Sequence, residues 1–481
     1  MRKKKYLNIL LLLAISIFSF VSCSEDTMDD INLNPNNPID VESKFILTDV
    51  MTSSAFNITG ADYAFYAACY IEHKVGIYGQ MYNAEKRTSG PASSTTYNGE
   101  WNSSYRNIFR TNIVIDKCSV GGLEEGNYHT LAIAQILKAY NAAVLTDLMG
   151  DTPFTEACQP GVIFTPKLDT QKSIYDAVFK LLNDAIVNLD KTSLFPSIAS
   201  QDLIYKGNTD SWKKFAYGLL ARYTMRLSKV APNYDKVIEY ANKSFNSAAE
   251  QCVYNYDGKN AKNPLYSFFN DRDYLGSSKS LKAKIDARVD PRDPLFFVIY
   301  PKAVNVLYAE NGNPDQIQEK YGLSGLINKT APTYLLSYHE LQFLKAEAYM
   351  RKTGMNTEAE TALKAGVSAA FVKVGLTVSA ANTYYTAQVK AKFTADMLGE
   401  IMNQKYLAFY DDESIEAYND IRRWKAMGDN KIILAHPLVA KFPLRYTYGS
   451  SDVTTNPNVR GAYGDGSYVY TENVWWAGGT R

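Results

Sequence analysis

Loop aromatics are the residues of this chain best suited to chemistry. Tyr78, Tyr82, Tyr97, Tyr266, Phe269 and Tyr274 stand outside the helical patterns, among amides, carboxylates and glycines, and Trp101 opens a helical one. Flat apolar faces pack against sugar C–H groups, while amide and carboxylate side chains bind hydroxyls. The chain holds 36 Tyr against 21 Phe, which suits aromatic rings that keep a polar edge in water. These seven residues are therefore the candidate ligand contacts, although Trp101 serves packing equally well.

Groups for bond-breaking chemistry are sparse. Asp411, Asp412 and Glu413 are adjacent, but they fall between two helical patterns, where capping accounts for them. There is no GxSxG elbow, HExxH pair or phosphate loop. Asp271 and Asp273 with Gly276 match a calcium loop only faintly, without its terminal Glu. Cys69, Cys118, Cys158 and Cys252 form no CxxC pair, so thiolate metal binding is not expected and buried free thiols are. No cofactor, no metal and no enzymatic activity are expected.

Cys23 belongs to another kind of chemistry. Arg2, Lys3, Lys4 and Lys5 precede an apolar run from Leu7 to Phe20, then Val21-Ser22. A cationic segment, a short apolar segment and a small-residue site make a secretory signal over 1–22. With cysteine next in line, the segment resembles a bacterial lipoprotein signal, with Phe20 where Leu is usual. The predicted result is a lipid anchor on Cys23, with no other membrane contact, because several acyl chains together hold stably. Residues 23–40 read as an acidic tether, Ser24-Glu25-Asp26 and Asp29-Asp30, similar to the surface-export signal of Bacteroidetes lipoproteins, with a solvated linker that merely resists folding as the alternative.

Composition sets limits on partners. Lys plus Arg number 51 and Asp plus Glu 50, and removal of the basic signal leaves a slightly acidic body. Such a body has no electrostatic case for nucleic acid or anionic lipid. With 46% hydrophobic and 21% charged residues it has the makings of a large globular core.

The elements that position the aromatics are helical. Apolar residues recur at helical spacing in paired segments: 130–149 with 173–190, 211–229 with 234–247, 334–352 with 357–371, and 397–410 with 413–427. Asp210 or Ser211 is placed to cap the third of these segments. Small residues such as Ala139, Ala143, Gly218 and Ala346 fall where helix axes approach. Paired helices of this kind follow tetratricopeptide logic, since stacking buries a core that no single pair can make. A generic helical bundle remains the alternative. The expected fold class is mostly α: about four tetratricopeptide-like pairs, over 130–250 and 333–427, form a platform. Irregular insertions at 60–100, 250–330 and 430–481 supply the ligand side, and 41–481 forms a single domain.

Several motifs, in order, resemble the SusD/RagB family of nutrient-binding outer-membrane lipoproteins, in its SusD-like subgroup. Leu33-Asn34-Pro35-Asn36-Asn37-Pro38 is similar to the family's Asn/Pro-rich opening. Trp101 to Asp116, Leu145 to Pro153 (LTDLMGDTP) and Tyr338 to Tyr349 (YHELQFLKAEAY) resemble its helices. Phe442 to Val459 (FPLRYTYGSSDVTTNPNV), with Val474-Trp475-Trp476, resembles its C-terminal signature. The resemblance implies a cell-surface lipoprotein that captures an oligomeric nutrient, a glycan first. It also implies delivery of that nutrient to a TonB-dependent, SusC-like outer-membrane barrel. A peptide or glycopeptide ligand, a helical-repeat interaction scaffold and a surface hydrolase are the alternatives.

Overall fold

The computed structural model describes residues 40–481 apart from 302, 314, 315, 355 and 356. The signal segment, Cys23 and the Leu33–Pro38 motif lie outside the described residues. Residues Ser43–Arg481 form one compact unit.

Helices of eight or more residues are α1 Ser43–Ser53, α2 Asp62–Tyr70, α3 Gly79–Lys86, α4 Asn98–Cys118, α5 Tyr128–Met149, α6 Gln171–Leu189 and α7 Thr209–Arg226. They continue as α8 Tyr234–Lys243, α9 Pro264–Arg272, α10 Lys279–Asp286, α11 Tyr338–Thr353, α12 Thr357–Lys373, α13 Met397–Ala408 and α14 Ser414–Met427. Strands are short and pair antiparallel: β1 Lys74–Gly76 with β5 Leu275–Ser277, β2 Thr152–Pro153 with β3 Leu168–Asp169, and β4 Cys252–Tyr254 with β6 Thr333–Leu336.

The predicted helix pairs take shape as α5 on α6, α7 on α8 and α11 on α12, joined by α6–α7, α8–α11 and α11–α13 contacts. In the fourth, α13 rests mainly on α11 and α14 on α2, and Lys405 to Asp420, at 2.6 Å, ties α13 to α14. Gly218 of α7 shows why a small residue is needed there. A Cβ would stand 2.2 Å from Leu336 Cδ2 and 2.7 Å from Ser244 Oγ. The cap of α7 is Asn208, whose side chain accepts from Ser211 N at 2.9 Å, rather than Asp210 or Ser211.

Buried ion pairs cross the platform. Arg222 of α7 holds Glu340 of α11 through Nε at 2.8 Å and Nη2 at 2.5 Å. Arg423 of α14 donates twice, at 2.7 Å, to Glu347 of α11. Burial pushes the Glu347 carboxyl up, but Arg423 and Arg351 overturn this and hold it well below the usual carboxylate range.

The C-terminal motif stitches distant elements together. Tyr446 N donates to Leu148 O of α5 at 2.7 Å, and its hydroxyl donates to Tyr63 O of α2 at 2.8 Å. Gly150 ends α5 with φ +82, and Arg445 reaches across to Met149 O. Trp476 is fully buried, its ring 4.8 Å from the Arg422 guanidinium and 5.6 Å from that of Arg226. Cys69, Cys118 and Cys252 are buried free thiols, and Cys158 is partly covered.

Candidate ligand-binding clefts

Asn263 starts α9, its side chain accepting from Tyr266 N at 3.0 Å with Pro264 in the first turn. Helical spacing then sets Tyr266 and Phe269 on one face. That face, with Asn270 and Asp273, meets Tyr300, Pro301 and the segment Leu323, Ser324, Ile327 around a cleft of about 400 Å³. The lining is what saccharide packing asks for: three aromatic rings, apolar side chains, one amide, one carboxylate and three hydroxyls, two of them phenolic.

Hydrogen bonds anchor both walls. Asp273, with φ +44, closes α9, and its carboxylate accepts from Glu319 N at 2.6 Å. The far segment is held by Leu323 N to Val298 O at 3.0 Å and Gly325 N to Leu295 O at 3.1 Å. Asp271 and Asp273 do not converge on a calcium-like site. Among the described residues no cluster of three or more His, Cys, Asp or Glu is arranged to hold a metal ion.

Beside α9 runs an aromatic ridge. Phe268 stands 4.7 Å from Phe65 and 5.8 Å from Tyr274, and Tyr274 lies 5.4 Å from Tyr78. The Arg272 guanidinium covers both Phe268 and Tyr274, at 5.9 and 5.7 Å. Near the ridge a second cleft of about 520 Å³ opens between α2, α3 and the start of α4. Its lining is polar: Asp62, Gln80, Asn83, Ser93, Thr95, Thr96 and Glu100, with Tyr66. Burial and then the charge of Asp62 push the Glu100 carboxyl up to about 8. Burial pushes Asp62 up to about 6, opposed by Arg272 and by the Gln80 amide, which donates to it at 3.1 Å.

The sequence candidates divide between surface and core. Tyr266 and Phe269 share the aromatic cleft. Tyr78 is 52% exposed on the ridge beside Tyr274, and Tyr82 is half-buried, with Lys86 Nζ 4.7 Å from its ring. Tyr97 and Trp101 are fully buried and offer no ring face to a ligand. Tyr97 stacks on Tyr446 at 4.0 Å and 7°, and its hydroxyl pairs with that of Tyr70 at 2.6 Å. Trp101 Nε1 donates to Asp452 at 2.7 Å, and its ring packs against Gly449.

Capping does not account for the acidic run. Asp411 pairs with Lys74 at 2.6 Å, Asp412 with Lys373 at 2.9 Å and Glu413 with His339 at 2.5 Å, and no side chain caps α14. Tyr300, Leu323, Ser324 and Ile327 were not singled out from sequence. Only the amide- and tyrosine-rich character of 250–330 pointed toward them.

This helical platform with its insertions is the SusD/RagB fold. The chain belongs to the SusD-like family, described as starch-binding and associating with the outer membrane, which matches residues 35–430. A SusD/RagB family protein from Bacteroides thetaiotaomicron is 43% identical, with TM-score 0.87 over 92% of this chain and 100% of that one. A SusD homolog from Parabacteroides distasonis, 22% identical, has TM-score 0.74 over 92% and 99% of the two chains. A chitin-binding SusD homolog from Flavobacterium johnsoniae, 19% identical, has TM-score 0.71 over 91% and 99%. These last two share the fold. No functionally curated protein matches the chain.

Proposed function

We propose that this protein is a cell-surface lipoprotein that captures an oligosaccharide and hands it intact to a TonB-dependent, SusC-like barrel. The observation that carries the reading is the cleft of Tyr266, Phe269 and Tyr300, whose rings are partly exposed and flanked by Asn270 and Asp273. Membership of a family described as starch-binding, and the chitin binding named for two structural relatives, favour a glycan over a peptide. Lipid on Cys23 supplies the outer-membrane address, and no described helix is long and apolar enough to cross a membrane. Capture without turnover agrees with the engagement of Asp411, Asp412 and Glu413 in buried ion pairs.

Co-purification tests the reading. Detergent-solubilised outer membranes should yield a large barrel protein with the lipoprotein, and a bound oligosaccharide should be recovered uncut. A lipoprotein that brings down no barrel and releases shortened sugars is something else. That second reading, hydrolysis, has one observation behind it: Asp62 and Glu100 share the polar cleft, as paired carboxylates do in glycosidases. It predicts sugar cleavage that disappears in Glu100→Gln.

A further inference from the structure

The aromatic cleft stands on a buried ion pair. Lys74 Nζ lies 2.6 Å from Asp411 Oδ1, and both side chains are 2% exposed. The same ammonium donates to Tyr410 Oη at 2.6 Å and sits 4.3 Å from the centroid of the Tyr410 ring. It also lies 5.6 Å from the centroid of Phe269, a ring of the cleft. The other oxygen of Asp411 accepts the hydroxyl of Ser324, which lines the cleft from the second wall. Ser324 Oγ in turn accepts from Leu326 N at 3.1 Å, shaping the turn that carries Leu323 and Ile327. One ion pair thus touches both walls: its cation lies by an aromatic of α9, and its anion holds the 321–327 turn.

The two charges are themselves firmly placed. Lys74 belongs to β1, in register with Ser277 of β5. Asp411 occupies the turn between α13 and α14 with φ +71, and Tyr410 beside it donates to Phe296 O at 3.2 Å. Asp412, the neighbouring acid, is engaged by Lys373. Burial lowers the Lys74 pKa and Asp411 opposes the shift, so the pair is held together at a desolvation cost.

Stability is a weak reason to keep such a pair. Apolar residues of similar volume often replace a buried ion pair without loss, because desolvation cancels much of the attraction. An apolar pair, however, cannot accept the Ser324 hydroxyl or set a cation against the Phe269 ring. We propose that Lys74 and Asp411 are positioning residues for the ligand cleft, fixing the relative placement of the Phe269 and Ser324 walls and thereby the affinity for saccharide. The affinity part of this inference rests on the cleft being the ligand site; the wall-positioning part does not.

The test compares Lys74→Met/Asp411→Leu, Ser324→Ala and Phe269→Ala with the native protein. Three readouts are taken: thermal melting, amide hydrogen exchange in the ligand-free protein, and titration with maltoheptaose and chitohexaose. The double variant should melt at or above the native temperature. Its 321–327 amides should exchange about tenfold faster, and its affinity for the saccharide that binds should fall about tenfold. Ser324→Ala should move both readouts the same way by less, and it decides the matter if the double variant does not fold. Unchanged exchange at 321–327 overturns the positioning role, as does an affinity loss that only follows a loss of melting temperature. Faster exchange with no effect of any variant on binding, Phe269→Ala included, leaves the walls positioned as proposed and overturns the cleft as ligand site. Absence of native binding to either saccharide, with faster exchange, has the same meaning.

Discussion

At the scale of single residues, what matters is which aromatic rings keep a face in the cleft. Phe269→Ala and Tyr266→Ala each remove such a ring, and each should weaken saccharide binding by about 1 kcal/mol, roughly fivefold, with little change in melting temperature. Tyr97→Ala and Trp101→Ala should do the reverse. Both side chains are fully buried, and aromatic truncation in a core costs about 3–5 kcal/mol. Thermal melts beside binding isotherms separate the two groups. Glu100 supplies a pH-dependent expectation. Its folded pKa is raised to about 8 from the ordinary 4.5, by burial and by Asp62. The stability it contributes is therefore complete below pH 4.5 and is lost as pH rises through 8. Glu100→Gln does not ionise, so its melting temperature should match the native protein near pH 4 and exceed it increasingly up to pH 9. A difference that stays flat across that range would contradict the assignment.

At the scale of elements, the platform depends on helix-to-helix contacts made by a few side chains. Leu219→Ala in α7, at a fully buried position, should cost about 2–5 kcal/mol. Glu347→Ala should cost about 3–5 kcal/mol by taking the doubly bonded carboxylate from buried Arg423, which keeps only Asp420 at 3.0 Å. Denaturant unfolding measures both. Helix α6 was legible through the contrast between its faces: Ile174, Val178, Leu182 and Ala185 are buried, and Lys172, Asp176 and Lys180 are exposed. Helix α2 was hidden for the opposite reason. Tyr63 through Tyr70 are all buried, so DYAFYAACY has no polar face, and it fell inside a region read as irregular. Tyr97 was read as a loop aromatic because its partner, Tyr446, is far away in sequence. The same distance hid Tyr300 and Ser324, which reach the cleft only through tertiary folding. The role of the acidic run is not legible locally, because its partners Lys74, Lys373 and His339 come from other segments.

At the scale of the whole molecule, a rigid helical body presents a cleft built from loops and short helices. This division lets the cleft side vary while the buried ion pairs and the C-terminal stitching hold the platform. Cys23→Ala should leave the protein without lipid and detached from the outer membrane, as mass spectrometry and fractionation would show. Saccharide capture by the cleft is tested by isothermal titration of the purified native protein and Tyr266→Ala/Phe269→Ala with maltoheptaose and chitohexaose, followed by chromatography of the recovered sugar. Saturable native binding is expected, at least tenfold weaker in the double variant by the loss of two stacking faces, with full-length sugar throughout. Equal binding by both proteins, no binding by either, or recovery of shortened sugar would contradict it.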